Sequence, residues 1–127
     1  MFCNYSTVRV SLGARSYPIE ICEDAFSKEA DFFAWPGSFA LIVTNETIAP
    51  LYCDELKGKI GNYFTSVVVL ILRDGEEYKN NESIEQIYDC LLDNGCDRKT
   101  VIFALGGGVV GDMAGFAAGC YQRGIQY

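Results

Sequence analysis

From Ser66 to Leu72 the chain runs Ser-Val-Val-Val-Leu-Ile-Leu, with no polar side chain after the first. A strand with one wet face alternates apolar and polar residues, so an unbroken aliphatic run predicts a strand covered on both faces, as in a parallel sheet. Parallel neighbours cannot be joined by a tight turn and need a crossover, usually a helix. The rest of the chain supplies the parts. Phe39–Thr44 is a second buried strand candidate and Thr100–Leu105 a third. A helix is predicted after Asn45: Asn45 or Thr47 can cap it, Pro50 is tolerated in a first turn, and Leu51, Leu56 and Ile60 supply its inner face. In a further helix Ser83 and Gln86 make a capping box, Ile84, Ile87, Tyr88, Leu91 and Leu92 form one stripe, and Gly95 is the stop.

Thr7–Leu12 and Ser16–Cys22 show period-two patterning on either side of Gly13-Ala14-Arg15 and predict a hairpin. Ala25–Phe33 is a short helical candidate ending before Trp35-Pro36-Gly37. After the third apolar run, Gly106–Gly111 reads as a glycine turn and Val110–Tyr121 as a helix with small residues along one side. A hairpin followed by repeated β-α units predicts an α/β fold, a Rossmann-like parallel sheet flanked by helices. Past Gly124 another strand begins and stops at Tyr127, an ending expected of a domain truncated at its C-terminal end.

The chain has 127 residues, 50% hydrophobic and 21% charged, a balance that excludes global disorder and favours one globular domain. Its net charge of -7 opposes a polyanionic partner, so nucleic acid is not expected. There is no histidine, the usual neutral-pH base and commonest metal ligand. The cysteines Cys3, Cys22, Cys53, Cys90, Cys96 and Cys120 form no C-x-x-C pair and follow no signal peptide, and they read as reduced thiols of a cytoplasmic protein. Val101–Cys120 carries one charge, Asp112, but the Gly106-Gly107-Gly108 break and the buried carboxylate argue against a membrane span.

Gly106-Gly107-Gly108-Val109-Val110-Gly111 satisfies G-x-G-x-x-G between a predicted strand and a predicted helix. Glycines let the backbone approach a pyrophosphate, whose charge the free amides and helix dipole stabilise. A plain structural turn is the competing explanation. Asp112 would repel a pyrophosphate, so it would have to meet a ribose, a nicotinamide edge or a substrate hydroxyl, unless it only complements the helix dipole. Gly111, Gly115 and Gly119 recur every fourth residue, a spacing better suited to close packing than to ligand contact. Asp74-Gly75-Glu76-Glu77-Tyr78-Lys79 follows a buried strand where ligands collect in open α/β sheets, though such a run is more often a solvated loop. Thr44-Asn45-Glu46 holds an equivalent place, with helix capping as its alternative. Arg123 could clamp a phosphate or simply lie on the surface.

Leu12-Gly13-Ala14-Arg15-Ser16-Tyr17-Pro18-Ile19, Val43–Thr47, Asp74–Lys79 and Ala104–Gly124 together resemble the 3-dehydroquinate synthase family of the shikimate pathway. The resemblance implies that residues 1–127 are an N-terminal NAD-binding domain, normally followed by a helical domain absent here. It implies that Asn45, Glu76 and Lys79, within the Asp74, Gly75, Glu76, Glu77, Tyr78, Lys79 loop, meet the adenosine and ribose side of NAD. It implies that Gly107, Gly108, Val109, Val110 and Gly111 cradle the pyrophosphate and that Asp112 is catalytic beside the nicotinamide. Arg123 would bind the substrate phosphate, with a dimer interface as one place for that contact. In the family NAD transiently oxidises a ring hydroxyl of a seven-carbon sugar phosphate so that phosphate can leave, with zinc or cobalt as Lewis acid. The family's metal is held by a glutamate and two histidines, so its ligands lie outside this chain. The fragment is expected to be inactive alone, to bind NAD weakly, and to belong to a homodimer. Other sugar-phosphate cyclases, the iron-dependent alcohol dehydrogenase class, and a stand-alone nucleotide-binding module are the rival readings.

Overall fold

In the computed structural model, residues 4–27 and 37–127 are described, and the chain divides into the units Met1–Phe32 and Phe33–Tyr127. In the first unit, β1 (Tyr5–Val10) pairs antiparallel with β2 (Tyr17–Cys22), in register from Tyr5 opposite Cys22 to Val10 opposite Tyr17. The loop closes through a 3-10 turn at Gly13–Arg15, where Gly13 has φ +62°, the left-handed region that costs glycine nothing. Ser16 Oγ donates to the Gly13 carbonyl at 2.7 Å and accepts from the Leu12 amide at 2.9 Å. That use of the Leu12 N–H is why the first strand ends at Val10 and not at Leu12. Val8, Tyr17, Ile19 and Ile21 share one face of the hairpin and are exposed. Of the expected helix at 25–33, Ala25–Ser27 forms a single 3-10 turn, and the remainder lies outside the described residues.

The second unit holds β3 (Phe39–Asn45), α1 (Ala49–Ile60), β4 (Ser66–Leu72), α2 (Asn81–Asp93), β5 (Val101–Ala104) and α3 (Gly108–Cys120). Its strands form a parallel sheet in the order β4-β3-β5. Ala40, Leu41, Ile42 and Val43 of the central strand are buried, on both faces of the sheet. Leu41 and Val43 pack with Ile87 and Leu91 of α2 and with Val110, Met113, Ala114, Ala117 and Ala118 of α3. The opposite face meets α1, which buries Ala49, Cys53, Leu56 and Ile60. Gln126 makes a parallel bridge with Val101, and the Ile102 amide donates to its carbonyl at 2.9 Å, so the chain after α3 starts along the outer side of β5.

The alternating layout matches the expectation from sequence, with local differences. The strand closed on both faces is β3; β4 is an edge strand, half-buried over 66–70, with Ile71 exposed by 54%. Leu51 and Leu92 are exposed by 63% and 62%. Leu51 falls outside the row of Ala49, Cys53, Leu56 and Ile60, whose four-three-four spacing follows one helix face. Asn80, and not Ser83, caps α2: its side chain accepts from the Ser83 amide, while the Ser83 hydroxyl donates to the Tyr78 carbonyl at 2.6 Å. Gly95 ends α2 at φ +65°. Helix α3 starts at Gly108, so Gly111 lies within its first turn. Among the described cysteines, Cys22, Cys53, Cys90, Cys96 and Cys120 are free thiols.

Candidate functional site

The strands β3 and β5 are neighbours, yet the helices that follow them pack on opposite faces of the sheet. Their carboxyl ends therefore open a crevice, the place where open α/β sheets bind ligands. The Leu105 amide donates to the Val43 carbonyl at 2.9 Å, which sets the glycine turn beside the Thr44-Asn45 turn.

Within the glycine turn the residues differ in what they permit. A Cβ on Gly106 would sit 2.9 Å from Cγ2 of Val110, a buried side chain, so this position keeps the turn closed on its helix. A Cβ on Gly107, Gly108 or Gly111 would meet nothing within 4 Å. Gly107 caps α3 with no side-chain hydrogen bond; the Gly111 amide donates to the Gly107 carbonyl at 3.0 Å, which leaves the amides of Gly108, Val109 and Val110, without an intrahelical partner, for another acceptor. No acidic residue occupies that turn. The bare amides, the positive end of the dipole and the open space above the glycines fit a pyrophosphate.

Asp112 follows at once, and its charge has a specific answer. Lys79 Nζ lies 2.8 Å from Asp112 Oδ2 and 3.7 Å from Glu76 Oε1. The hydrogen bond to Asp112, followed by the charges of Asp112 and Glu76, raises the Lys79 pKa above its ordinary value. A raised lysine keeps its charge throughout neutral pH, and its partnership is lost only as pH climbs through that raised value. Both groups are solvent-exposed, so the pair shapes the local field more than it stabilises the fold. Below it lies a cavity of about 260 Å³ lined by Lys79, Asp112, Ile84, Met113 and Phe116 among others.

The loop carrying Lys79 leaves β4 at Asp74, turns at Gly75 with φ +134°, and forms a 3-10 turn at Glu76–Tyr78. The Arg73 guanidinium stands 5.4 Å from the centre of the Tyr78 ring. Across from this loop, Asn45 Oδ1 accepts from the amides of Thr47 and Ile48 at 3.1 and 2.9 Å. Asn45 Nδ2 donates to Asp74 Oδ1 at 3.1 Å, and Thr47 Oγ1 to Asp74 Oδ2 at 2.7 Å.

The structure thus brings together Asn45, the Asp74–Lys79 loop, Gly107–Gly111 and Asp112. It does not bring Arg123 there: Arg123 lies past the far end of α3, whose 13 residues span about 20 Å. Gln122 and Arg123 have φ +51° and +64°, left-handed values that residues with side chains rarely adopt, and the Arg123 guanidinium has no ion-pair partner among the described residues. Met113 and Phe116 are not marked by any motif in the sequence, and Thr47 only as a candidate helix cap. Phe116 carries a legible signal, a large apolar side chain one helical turn after Asp112, exposed by 58%; the role of Thr47 depends on a contact 27 residues away. Among the described residues, no group of three or more Cys, Asp or Glu side chains could hold a metal ion, and no helix is long and apolar enough to cross a membrane.

Comparison with known proteins adds a family. A family model described as 3-dehydroquinate synthase N-terminal matches residues 56–127. The chain is 49% identical over 124 residues to a 3-dehydroquinate synthase of Pseudomonas entomophila, covering 95% of this chain and 33% of that protein. It is 48% identical over 122 residues to one of Pseudomonas fluorescens, with the same coverage. It therefore spans about a third of the length of these relatives. Among solved structures, a 2-deoxy-scyllo-inosose synthase complexed with carbaglucose-6-phosphate, NAD+ and Co2+ superposes with TM-score 0.82 at 23% identity, covering 94% of this chain and 33% of that one. A 2-epi-5-epi-valiolone synthase from Streptomyces hygroscopicus with NAD+ and Zn2+ bound gives TM-score 0.67 at 25% identity over 81% of this chain and 29% of that one.

Proposed function

Since the chain belongs to the 3-dehydroquinate synthase family, we propose that it is the NAD-binding part of such an enzyme, a carbon-oxygen lyase of aromatic amino acid biosynthesis working in the cytoplasm. The reaction is conversion of 3-deoxy-D-arabino-heptulosonate 7-phosphate to 3-dehydroquinate and phosphate. The observation that carries this reading is the uncapped, unobstructed glycine turn at the end of β5, facing the Lys79–Asp112 pair.

In this reading the first-turn amides of α3 hold the pyrophosphate, with Gly107, Gly108, Val109, Val110 and Gly111 leaving room for it. Asn45 and the Gly75–Lys79 loop bind the adenosine and its ribose. Asn45 Nδ2 gives one hydrogen to Asp74 and keeps a second for a ligand. Bound NAD would supply a reversible hydride acceptor. Asp112, held by Lys79, faces the region where a nicotinamide or substrate hydroxyl would sit, and the ammonium offsets its repulsion of the diphosphate. The far position of Arg123 supports a role outside this crevice, toward a substrate phosphate in a homodimer.

A metal does not fit these residues, because the chain has no histidine and its described carboxylates and thiols form no ligand group. In an NAD- and metal-dependent enzyme of this kind, the zinc or cobalt ligands would lie outside this chain, and no step here is assigned to the ion.

The test uses the full-length gene product with NAD, a divalent metal and 3-deoxy-D-arabino-heptulosonate 7-phosphate. Stoichiometric phosphate and 3-dehydroquinate, identified by mass spectrometry, are expected. Turnover of a different sugar phosphate instead would identify a different sugar-phosphate cyclase, and absence of NAD binding in calorimetry would overturn the cofactor reading.

A further inference from the structure

The turn between β3 and α1 is tied to the end of β4 more closely than chain continuity requires. Besides the two bonds to the Asp74 carboxylate, the Glu46 amide donates to the Leu72 carbonyl at 3.0 Å, and the Asp74 amide to Glu46 Oε1 at 3.4 Å. We propose that Asp74 is a positioning residue, a carboxylate clasp that locks the Asn45 amide and fixes the Gly75–Lys79 loop against the β3–α1 turn. This deepens the NAD reading above and rests on it.

The Asp74 carboxylate is the centre of the clasp. Its Oδ1 takes a hydrogen from Asn45 and its Oδ2 one from Thr47, so both oxygens are engaged within the protein. The consequence for Asn45 is directional. Its Oδ1 already accepts two backbone N–H groups, and the residue is buried at 6% exposure. Rotating that amide would oppose its NH2 to two donors, while the carboxylate rewards only the observed orientation. The second Nδ2 hydrogen is thereby presented in a fixed direction.

The consequence for the loop is similar. Gly75, at φ +134°, occupies a region only glycine adopts readily, so the loop has little local preference for its course. Asp74 anchors the chain just before that turn, and beyond it hangs Lys79, which pairs with both Glu76 and Asp112. A site held in place before its ligand arrives loses less ordering entropy on binding. A carboxylate has about four acceptor sites and Asp74 fills two of them internally, so a clasp and a direct bond to a ribose hydroxyl are told apart by deoxy analogues of NAD.

The experiment measures NAD affinity by calorimetry in the full-length enzyme for wild type, Asp74→Asn, Thr47→Val and the double variant, with melting temperatures alongside. Both substitutions keep side-chain size, and Thr47→Val leaves the charge in place, so one variant remains if the other fails to fold. Each single change is expected to raise the Kd for NAD about tenfold, the effect of a lost charge-assisted hydrogen bond. The double variant should be no worse than the worse single, because both remove one clasp. At saturating NAD, kcat should stay near wild type. The loss should persist with NAD analogues lacking the 2′- or 3′-hydroxyl of the adenosine ribose. Additive losses, or a loss that disappears with a deoxy analogue, would overturn the proposal and make Asp74 a ribose ligand. Unchanged affinity in folded variants would overturn it outright. Failure of the wild-type enzyme to bind NAD would be a separate result, removing the cofactor reading beneath it.

Discussion

Gly106 and Gly108 stand two residues apart in one motif and do different work. At Gly106 a methyl group would press against the buried Val110, at 2.9 Å from Cγ2 and 3.0 Å from Cβ. Val110 is 1% exposed and has nowhere to retreat. Gly106→Ala is therefore expected to destabilise the fold by about 1–3 kcal/mol, the usual cost of overpacking. At Gly108 a methyl group meets open space, and the residue lies in the first turn of α3 with no positive φ to protect. Gly108→Ala should leave the melting temperature unchanged or raise it slightly, since alanine favours a helix by up to about 1 kcal/mol. Its effect should fall on the ligand: the Cβ would occupy space that a diphosphate needs, raising the Kd for NAD by about an order of magnitude. Thermal melts and calorimetry on the two variants separate these outcomes. Equal NAD affinity in Gly108→Ala and wild type would remove the glycine turn from the cofactor site. The spacing of G-x-G-x-x-G was legible in the sequence, but the division of labour among its glycines was not, because it depends on where Val110 points.

At the scale of the element, α2 shows what periodicity settles and what it leaves open. The stripe Ile84, Ile87, Tyr88 and Leu91 was readable, and Ile87 and Leu91 are fully buried. Leu92 sits at the edge of the same stripe and is exposed, since a period of 3.6 marks the middle of a face more sharply than its margins. The cap was harder to read. Asn80, Asn81 and Ser83 all have side chains that can cap, and the choice was made by Tyr78, whose carbonyl takes the Ser83 hydroxyl and leaves Asn80 to accept from the Ser83 amide. Asn80→Ala should cost about 1 kcal/mol, read as a lower urea midpoint at constant slope. Gln86→Ala should leave the midpoint unchanged, as no hydrogen bond ties Gln86 to the start of the helix among the described residues. A larger loss for Gln86 than for Asn80 would restore the capping box expected from sequence. The apolar runs of β3 and β4 looked alike for a related reason: composition reveals a covered strand, but which one lies in the middle follows from pairing order.

At the scale of the whole molecule, the order β4-β3-β5 and the opposite placement of α1 and α3 create the crevice. That much was implicit in the alternation of strands and helices. The meeting of Lys79 with Asp112, 33 residues apart, was not, because it needs α2 to carry the chain from β4 across β3 to β5. The same geometry separates the chemistry in space. One end of α3 opens onto the glycine turn, and Arg123 follows the other end, so among the described residues no single surface gathers the glycine turn, Arg123 and a set of metal ligands. A net charge of -7 adds to the difficulty of holding a sugar phosphate, since the local field must be reversed by a few cations and helix amides. Catalysis by the family's route also needs imidazole or an equivalent ligand set to hold its Lewis acid, and the chain contains no histidine. The 127-residue chain supplied with NAD, Zn2+ and 3-deoxy-D-arabino-heptulosonate 7-phosphate is therefore expected to release no phosphate above background. Its affinity for NAD should be weaker than that of a 3-dehydroquinate synthase of the relatives' length, of which this chain spans about a third. A phosphate-release assay run beside an NAD titration decides between the alternatives. Turnover by these residues alone would mean that the reaction needs neither histidine nor a second domain, and the division of labour proposed here would fail.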